Sequence, residues 1–125
     1  MNYLKKVILT GASGFIGKWL LNDLLSAGID VTVIVRDKRK INIDLCDKVH
    51  IYESEYCDYD KLPIPQDSYD AFFHLAWQGV AGESKNDLVI QTENIGMSVA
   101  SLSLAKRLQC KKFIATGTVA EYAYC

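Results

Sequence analysis

The stretch "VILTGASGFIGKWL", Val7 to Leu20, constrains the chain more than any other. An apolar run leads into three glycines, Gly11, Gly14 and Gly17, and apolar residues then resume at helical spacing. Glycine reaches backbone conformations closed to other residues and lets a neighbouring group approach the main chain. Between a strand and a helix, three such positions describe a turn whose following N–H groups and helix dipole can hold an anion. In a turn of this kind Gly11 permits the tight path, Gly14 admits a pyrophosphate, and Gly17 lets the helix pack closely on the strand.

The remaining sequence alternates between the two periodicities. Lys6 to Thr10 reads as a strand buried on both faces. Phe15 to Ala27 reads as a helix carrying Phe15, Trp19, Leu20, Leu24 and Leu25 on its apolar spacings, with Gly28 at the cap position. "DVTVIV", Asp30 to Val35, is rich in β-branched residues and predicts a second strand, and Val49 to Tyr52 a third. The link "CDYDKLPIPQDSYD" contains Pro63 and Pro65, which forbid a continuous helix and leave an abbreviated crossover. Ala71 to Ala76 predicts a fourth strand. From about Asn86 to Gln109 the pattern Leu88, Ile95, Val99, Leu102, Leu104, Leu108 predicts a long amphipathic helix. Lys112 to Thr116 begins a fifth strand. Strands alternating with helices imply right-handed crossovers, hence an α/β doubly wound parallel sheet of the Rossmann kind, with its ligand crevice beyond the carboxyl ends of the strands. Residues 1–125 are expected to form one dinucleotide-binding domain, which ends just after the fifth strand.

Composition excludes several classes. Half of the 125 residues are hydrophobic, which suits a buried core, and the formal charge of -1 gives no overall field for nucleic acid or an anionic membrane. Cys46, Cys57, Cys110 and Cys125 form no Cys-x-x-Cys pair and no close-spaced set completes a zinc site, so no metal is expected. Lys5 and Lys6 lead into only a short apolar run, unlike a signal peptide, and no stretch is long enough to span a bilayer. These features predict a reduced, cytoplasmic protein.

The glycine spacing is Gly-x-x-Gly-x-x-Gly, and "TGASGFIG" resembles the opening of the extended short-chain dehydrogenase/reductases, which include nucleotide-sugar epimerases, dehydratases and reductases. The resemblance continues in order along the chain. "VHIYESEYCDYDKL" is similar to that family's third strand and following acid, "AFFHLAWQGVAGES" to its fourth strand with a His-x-Ala element, and "QTENIGMSVASLSLAKRLQCKKFIATGTVAEY" to its Asn-bearing helix and fifth strand.

The resemblance implies site roles. Gly11, Gly14, Phe15, Ile16 and Gly17 would contact a pyrophosphate or pack the turn beneath it. Glu55 would accept a hydrogen bond from the adenine amino group, with Asp58 the substitute if the register slips. Leu75 and Ala76 would line the nicotinamide ribose, Asn94 would order the sheet beside the cofactor, and Thr116 would lie beside the nicotinamide. His74 is expected to be a packed strand residue and not a base. Thr118, four residues before Tyr122 in "TVAEY", stands at the family's Ser/Thr position and would hydrogen-bond the substrate oxygen during hydride transfer. The family's catalytic Tyr-x-x-x-Lys pair does not occur in these residues, so the chain alone is expected to be inactive.

After the second strand a carboxylate would favour NAD, whereas an arginine suits the 2′-phosphate of NADP. "VIVRDKRK" presents Arg36 first, with Asp37 next, and favours NADP over NAD. The function expected is the cofactor-binding portion of an NAD(P)-dependent nucleotide-sugar enzyme that transfers hydride at a sugar carbon, with a nucleotide sugar as its partner and a homo-oligomeric state. Two other readings stay open: a non-catalytic, redox-sensing dinucleotide binder of the same fold, and another doubly wound protein that takes flavin or adenosylmethionine.

Overall fold

A computed structural model describes residues 3–118. Five strands, β1 (Lys6–Thr10), β2 (Asp30–Val35), β3 (His50–Glu53), β4 (Ala71–His74) and β5 (Phe113–Ala115), form one parallel sheet in the order β3-β2-β1-β4-β5. Helix α1 (Phe15–Ser26) joins β1 to β2, and α2 (Leu88–Arg107) joins β4 to β5. The order reverses at β1, where the chain leaves first to β2 and later returns to β4, so the carboxyl end of β1 is the natural place for a crevice.

Alternation along β1 divides the core. Val7 and Leu9 pack with Leu21 and Leu24 of α1, whereas Ile8 packs with Leu104, Ala105 and Leu108 on the α2 side. The fully buried strand residues explain why β1 and β2 read as continuous apolar runs. Between β3 and β4 only a 3-10 segment, Tyr56–Lys61, precedes the prolines, as Pro63 and Pro65 require. Gly28 ends α1 with φ at +75°.

Leu20, Leu24 and Leu25 of α1, with Leu104 and Leu108 at the end of α2, meet the core as their spacing implies, but the rest of each expected face does not. In α1 the buried residues are Gly17, Leu21 and Leu24, while Phe15 and Trp19 are 86% and 66% exposed. Gly17 sits against the Gly11 turn, and that contact sets which side of the helix meets the sheet. In α2 the buried residues are Asn94, Met97, Ser101, Leu104 and Ala105, and Leu88, Ile95, Val99 and Leu102 are exposed. Two of the buried side chains are polar and are bonded to the carboxyl end of β4 and the loop beyond it, which hydrophobicity alone cannot reveal. Strand β4 ends at His74, two residues before the expected limit, although the Leu75 amide still donates to the Thr10 carbonyl at 3.2 Å.

Candidate functional site

The turn after β1 is built on the conformations expected of its glycines. Gly11 has φ of +76°, and a Cβ there would lie 2.6 Å from the amide nitrogen of Ala76. Gly17 is tighter still: its Cβ would meet Gly11's carbonyl oxygen at 1.9 Å. Gly14 differs, since a Cβ would approach only that same oxygen, at 3.3 Å, and the residue is exposed. Gly11 and Gly17 are therefore required by the protein's own packing, whereas at Gly14 a Cβ would make one tight contact on an otherwise exposed residue.

Gly14 is also the N-cap of α1, and no side chain caps it. The first turn contains no acidic residue. Helix α2 is the contrast: the Asp87 carboxylate accepts from the amides of Val89 and Ile90. The start of α1 keeps its positive end and is suited to an anion supplied from outside.

Beside it lies a cleft of about 140 Å³ whose lining includes Gly11, Ser13, Arg36, Glu55, Tyr56, Tyr59, Leu75, Ala76, Trp77, Gln78 and Met97. It thus brings together five residues singled out in the sequence: Gly11, Arg36, Glu55, Leu75 and Ala76. Ser13, Tyr56, Trp77, Gln78 and Met97 lie within the quoted stretches but were assigned no role there. Tyr56 follows Glu55 directly, and Met97 stands three residues after Asn94 on one helix face, which were the only signals available. Burial raises the Tyr59 phenol to about 12, so it remains a neutral wall of the cleft.

Arg36 and Asp37 separate cleanly. Arg36 lines the cleft, whereas Asp37 binds Arg39, with Oδ1 accepting from Nε at 2.9 Å and Oδ2 from Nη2 at 3.0 Å. These bonds, with that from the Arg39 amide, hold the Asp37 carboxyl down at about 2. Glu55 and Asp58 divide in the same way: Glu55 is at the cleft, and Asp58 pairs with Lys61 at 2.7 Å.

The other positions surround the cleft without lining it. Phe15 and Ile16 are exposed on α1, so the packing beneath the turn falls to Gly17. Asn94 is completely buried; its Oδ1 accepts from the Gln78 amide at 2.8 Å and its Nδ2 donates to the Gln78 carbonyl at 2.8 Å. It fixes the cleft wall from behind. The Thr116 amide reaches the His74 carbonyl at 3.4 Å, continuing the β4–β5 pairing, and Thr118 is exposed beyond it. Tyr122 lies outside the described residues. Among the described residues no three His, Cys, Asp or Glu side chains are grouped to hold a metal ion, and no helix is long and apolar enough to cross a membrane.

Comparison with known proteins bears on the fold and the family. CDP-abequose synthase of Salmonella typhimurium is 34% identical over 124 residues, which cover 93% of this chain and 39% of the synthase. The UDP-Glc/GlcNAc 4-epimerase of Campylobacter jejuni shares the fold with a TM-score of 0.78 at 23% identity, over 95% of this chain and 39% of that one. UDP-glucose 4-epimerase from Bifidobacterium longum, solved in complex with NAD+ and UDP, aligns with a TM-score of 0.73 at 20% identity, over 95% of this chain and 38% of that one. The chain thus spans about two fifths of the length of these relatives. The model of the NAD dependent epimerase/dehydratase family matches residues 7–125, and the chain belongs to that family.

Proposed function

We propose that the chain is the cofactor-binding portion of an NAD(P)-dependent nucleotide-sugar epimerase, dehydratase or reductase. The observation that carries this reading is the uncapped start of α1, with Gly14 open beside it, next to a cleft that gathers Gly11, Arg36, Glu55, Leu75 and Ala76. The residues present fit a dinucleotide. The amides after Gly14 hold the pyrophosphate, Glu55 accepts from the adenine amino group, and the Leu75–Ala76 backbone meets the nicotinamide ribose. When bound, the nicotinamide supplies the acceptor and donor of hydride at a sugar carbon. Thr118 holds the substrate oxygen, and Asn94 keeps the cleft wall in place.

Arg36 in the cleft, with Asp37 turned to Arg39, supports NADP over NAD: the guanidinium is available for a 2′-phosphate, and the neighbouring carboxylate is engaged elsewhere. The substrate proposed is a nucleotide sugar, in keeping with the relatives named above. The exposed apolar line Leu88, Ile95, Val99, Leu102 on α2 supports a homo-oligomer, and the free thiols of Cys46, Cys57 and Cys110 suit a reduced, cytoplasmic setting.

Amide chemical shifts during titration with NADPH test the reading. It requires the largest changes at residues 14–17, 36, 55 and 75–78. Changes confined to other surfaces would contradict it. Hydride transfer is tested separately by turnover of nucleotide sugars with the full-length gene product.

A further inference from the structure

At the end of β4, His74 is 3% exposed and sits among three hydroxyls on two elements. Its Nδ1 lies 2.8 Å from Thr10 Oγ1 of β1 and 3.1 Å from Ser101 Oγ of α2, and its Nε2 lies 3.2 Å from Ser98 Oγ of α2. The Phe113 ring of β5 stacks on it at 6.1 Å.

The proton positions follow from donor counting. Ser98 has one hydroxyl hydrogen, which it donates to the Asn94 carbonyl at 2.9 Å. Toward His74 it can therefore only accept, so Nε2 carries the ring hydrogen. In the neutral ring Nδ1 is then an acceptor with one lone pair, which takes the hydrogen of Thr10 at the shorter distance, with Ser101 sharing it at 3.1 Å. Donation by Thr10 leaves its oxygen lone pairs for the Ala76 amide, which reaches Oγ1 at 3.4 Å. No buried side-chain nitrogen or oxygen of the cluster lacks a partner, and burial disfavours the charged ring.

Ala76 belongs to the cleft wall, Leu75 to Gln78. The Leu75 amide donates to the Thr10 carbonyl at 3.2 Å, the Ala76 amide to the Thr10 side chain, and the Gln78 amide and carbonyl are held by Asn94. Behind this wall the chain of contacts runs from Asn94 through Ser98 and His74 to Thr10, and so joins α2 to β1.

We infer that His74 is a positioning residue: as the neutral Nε2–H tautomer it orients the Thr10 hydroxyl and anchors Ser98, and thereby locks the wall at residues 75–78 against the Gly11 turn. Its effect on dinucleotide affinity rests on the function proposed above, but its effect on the wall does not.

Three measurements test it on the full chain. Long-range ¹H–¹⁵N correlation of the imidazole at neutral pH is expected to show hydrogen on Nε2 alone; a ring protonated on Nδ1 overturns the inference. Amide exchange at Ala76 is expected to accelerate about tenfold, the size of one hydrogen bond, in His74→Leu and Thr10→Val, and to stay near wild type in Thr10→Ser, which keeps the oxygen. Unchanged exchange in His74→Leu, with circular dichroism intact, also overturns it. NADPH affinity is expected to weaken in the Leu and Val variants and to be retained in Thr10→Ser. If the wild type takes up no dinucleotide, the proposed function fails, while tautomer and exchange still decide the role of His74.

Discussion

A Cβ on Gly17 would stand 1.9 Å from the carbonyl oxygen of Gly11, so residue 17 can be nothing larger than glycine while Gly11 keeps its place. Gly17→Ala is expected to destabilise the fold by about 3 kcal/mol, at the upper end of ordinary overpacking, because the atom it meets is backbone and cannot rotate away. Gly14→Ala meets the same oxygen at 3.3 Å and is expected to cost much less. Denaturant midpoints of the two variants measure the difference. Equal losses would show that the turn is not packed as described.

Asn94 is the second fixed point. Replacement by Leu removes both partners of the Gln78 backbone and leaves those groups unpaired, at a cost of about 2 kcal/mol. Thermal unfolding of Asn94→Leu checks this, and a melting temperature equal to wild type would argue that the loop finds other partners.

Stability at acid pH should report on Asp70. Its carboxylate accepts from Lys111 Nζ at 2.7 Å and from the amides of Lys5 and Lys6, at 2.7 and 3.1 Å, tying the start of β1 to the residues before β5. Those bonds hold its carboxyl at about 2, below the unfolded value of about 3.9. The native state thus binds its proton later than the unfolded state does. The stabilisation is complete above pH about 4 and is lost as the pH falls through about 2. Asp70→Asn is expected to be less stable at neutral pH and to show a shallower loss between pH 4 and 2, measured by denaturant unfolding at each pH.

On the proposed reading, cofactor choice turns on Arg36. Loss of a bidentate guanidinium–phosphate contact in Arg36→Ala should weaken NADPH about tenfold or more and leave NADH nearly unchanged. Fluorescence titration with both dinucleotides measures it. Tighter binding of NADH than NADPH by the wild type would reverse the assignment.

Much of the fold was legible because local signals and tertiary structure agree. Asp30–Val35 is a strand by its β-branched run and a buried strand in the sheet, and Gly11 and Gly17 occupy positions that admit no Cβ. The helix faces were legible only in part: Leu24, Leu104 and Leu108 reach the core, whereas Phe15, Trp19, Ile95 and Val99 do not. Their rotation is fixed by long-range contacts, Gly17 on Gly11 in α1 and Asn94 on Gln78 in α2, and the polar residues that make the second contact oppose the hydrophobic pattern. Likewise the Thr10–His74–Ser98–Ser101 cluster joins residues on three elements that carry no shared spacing. At the site, the sequence placed Arg36 and Glu55 beside the glycine turn, but it could not show that Asp37 and Asp58 are each occupied by a local cation.

The central claim is that a nicotinamide dinucleotide is held at the open start of α1. Calorimetric titration of NADPH into the wild type and into Gly14→Val tests it most directly, because the valine side chain would occupy the space proposed for the pyrophosphate, while within the protein its Cβ would meet only the Gly11 carbonyl oxygen, at 3.3 Å. The account predicts measurable binding by the wild type and its loss in the variant, with both showing the same circular dichroism. Equal affinity in the two folded proteins would contradict it.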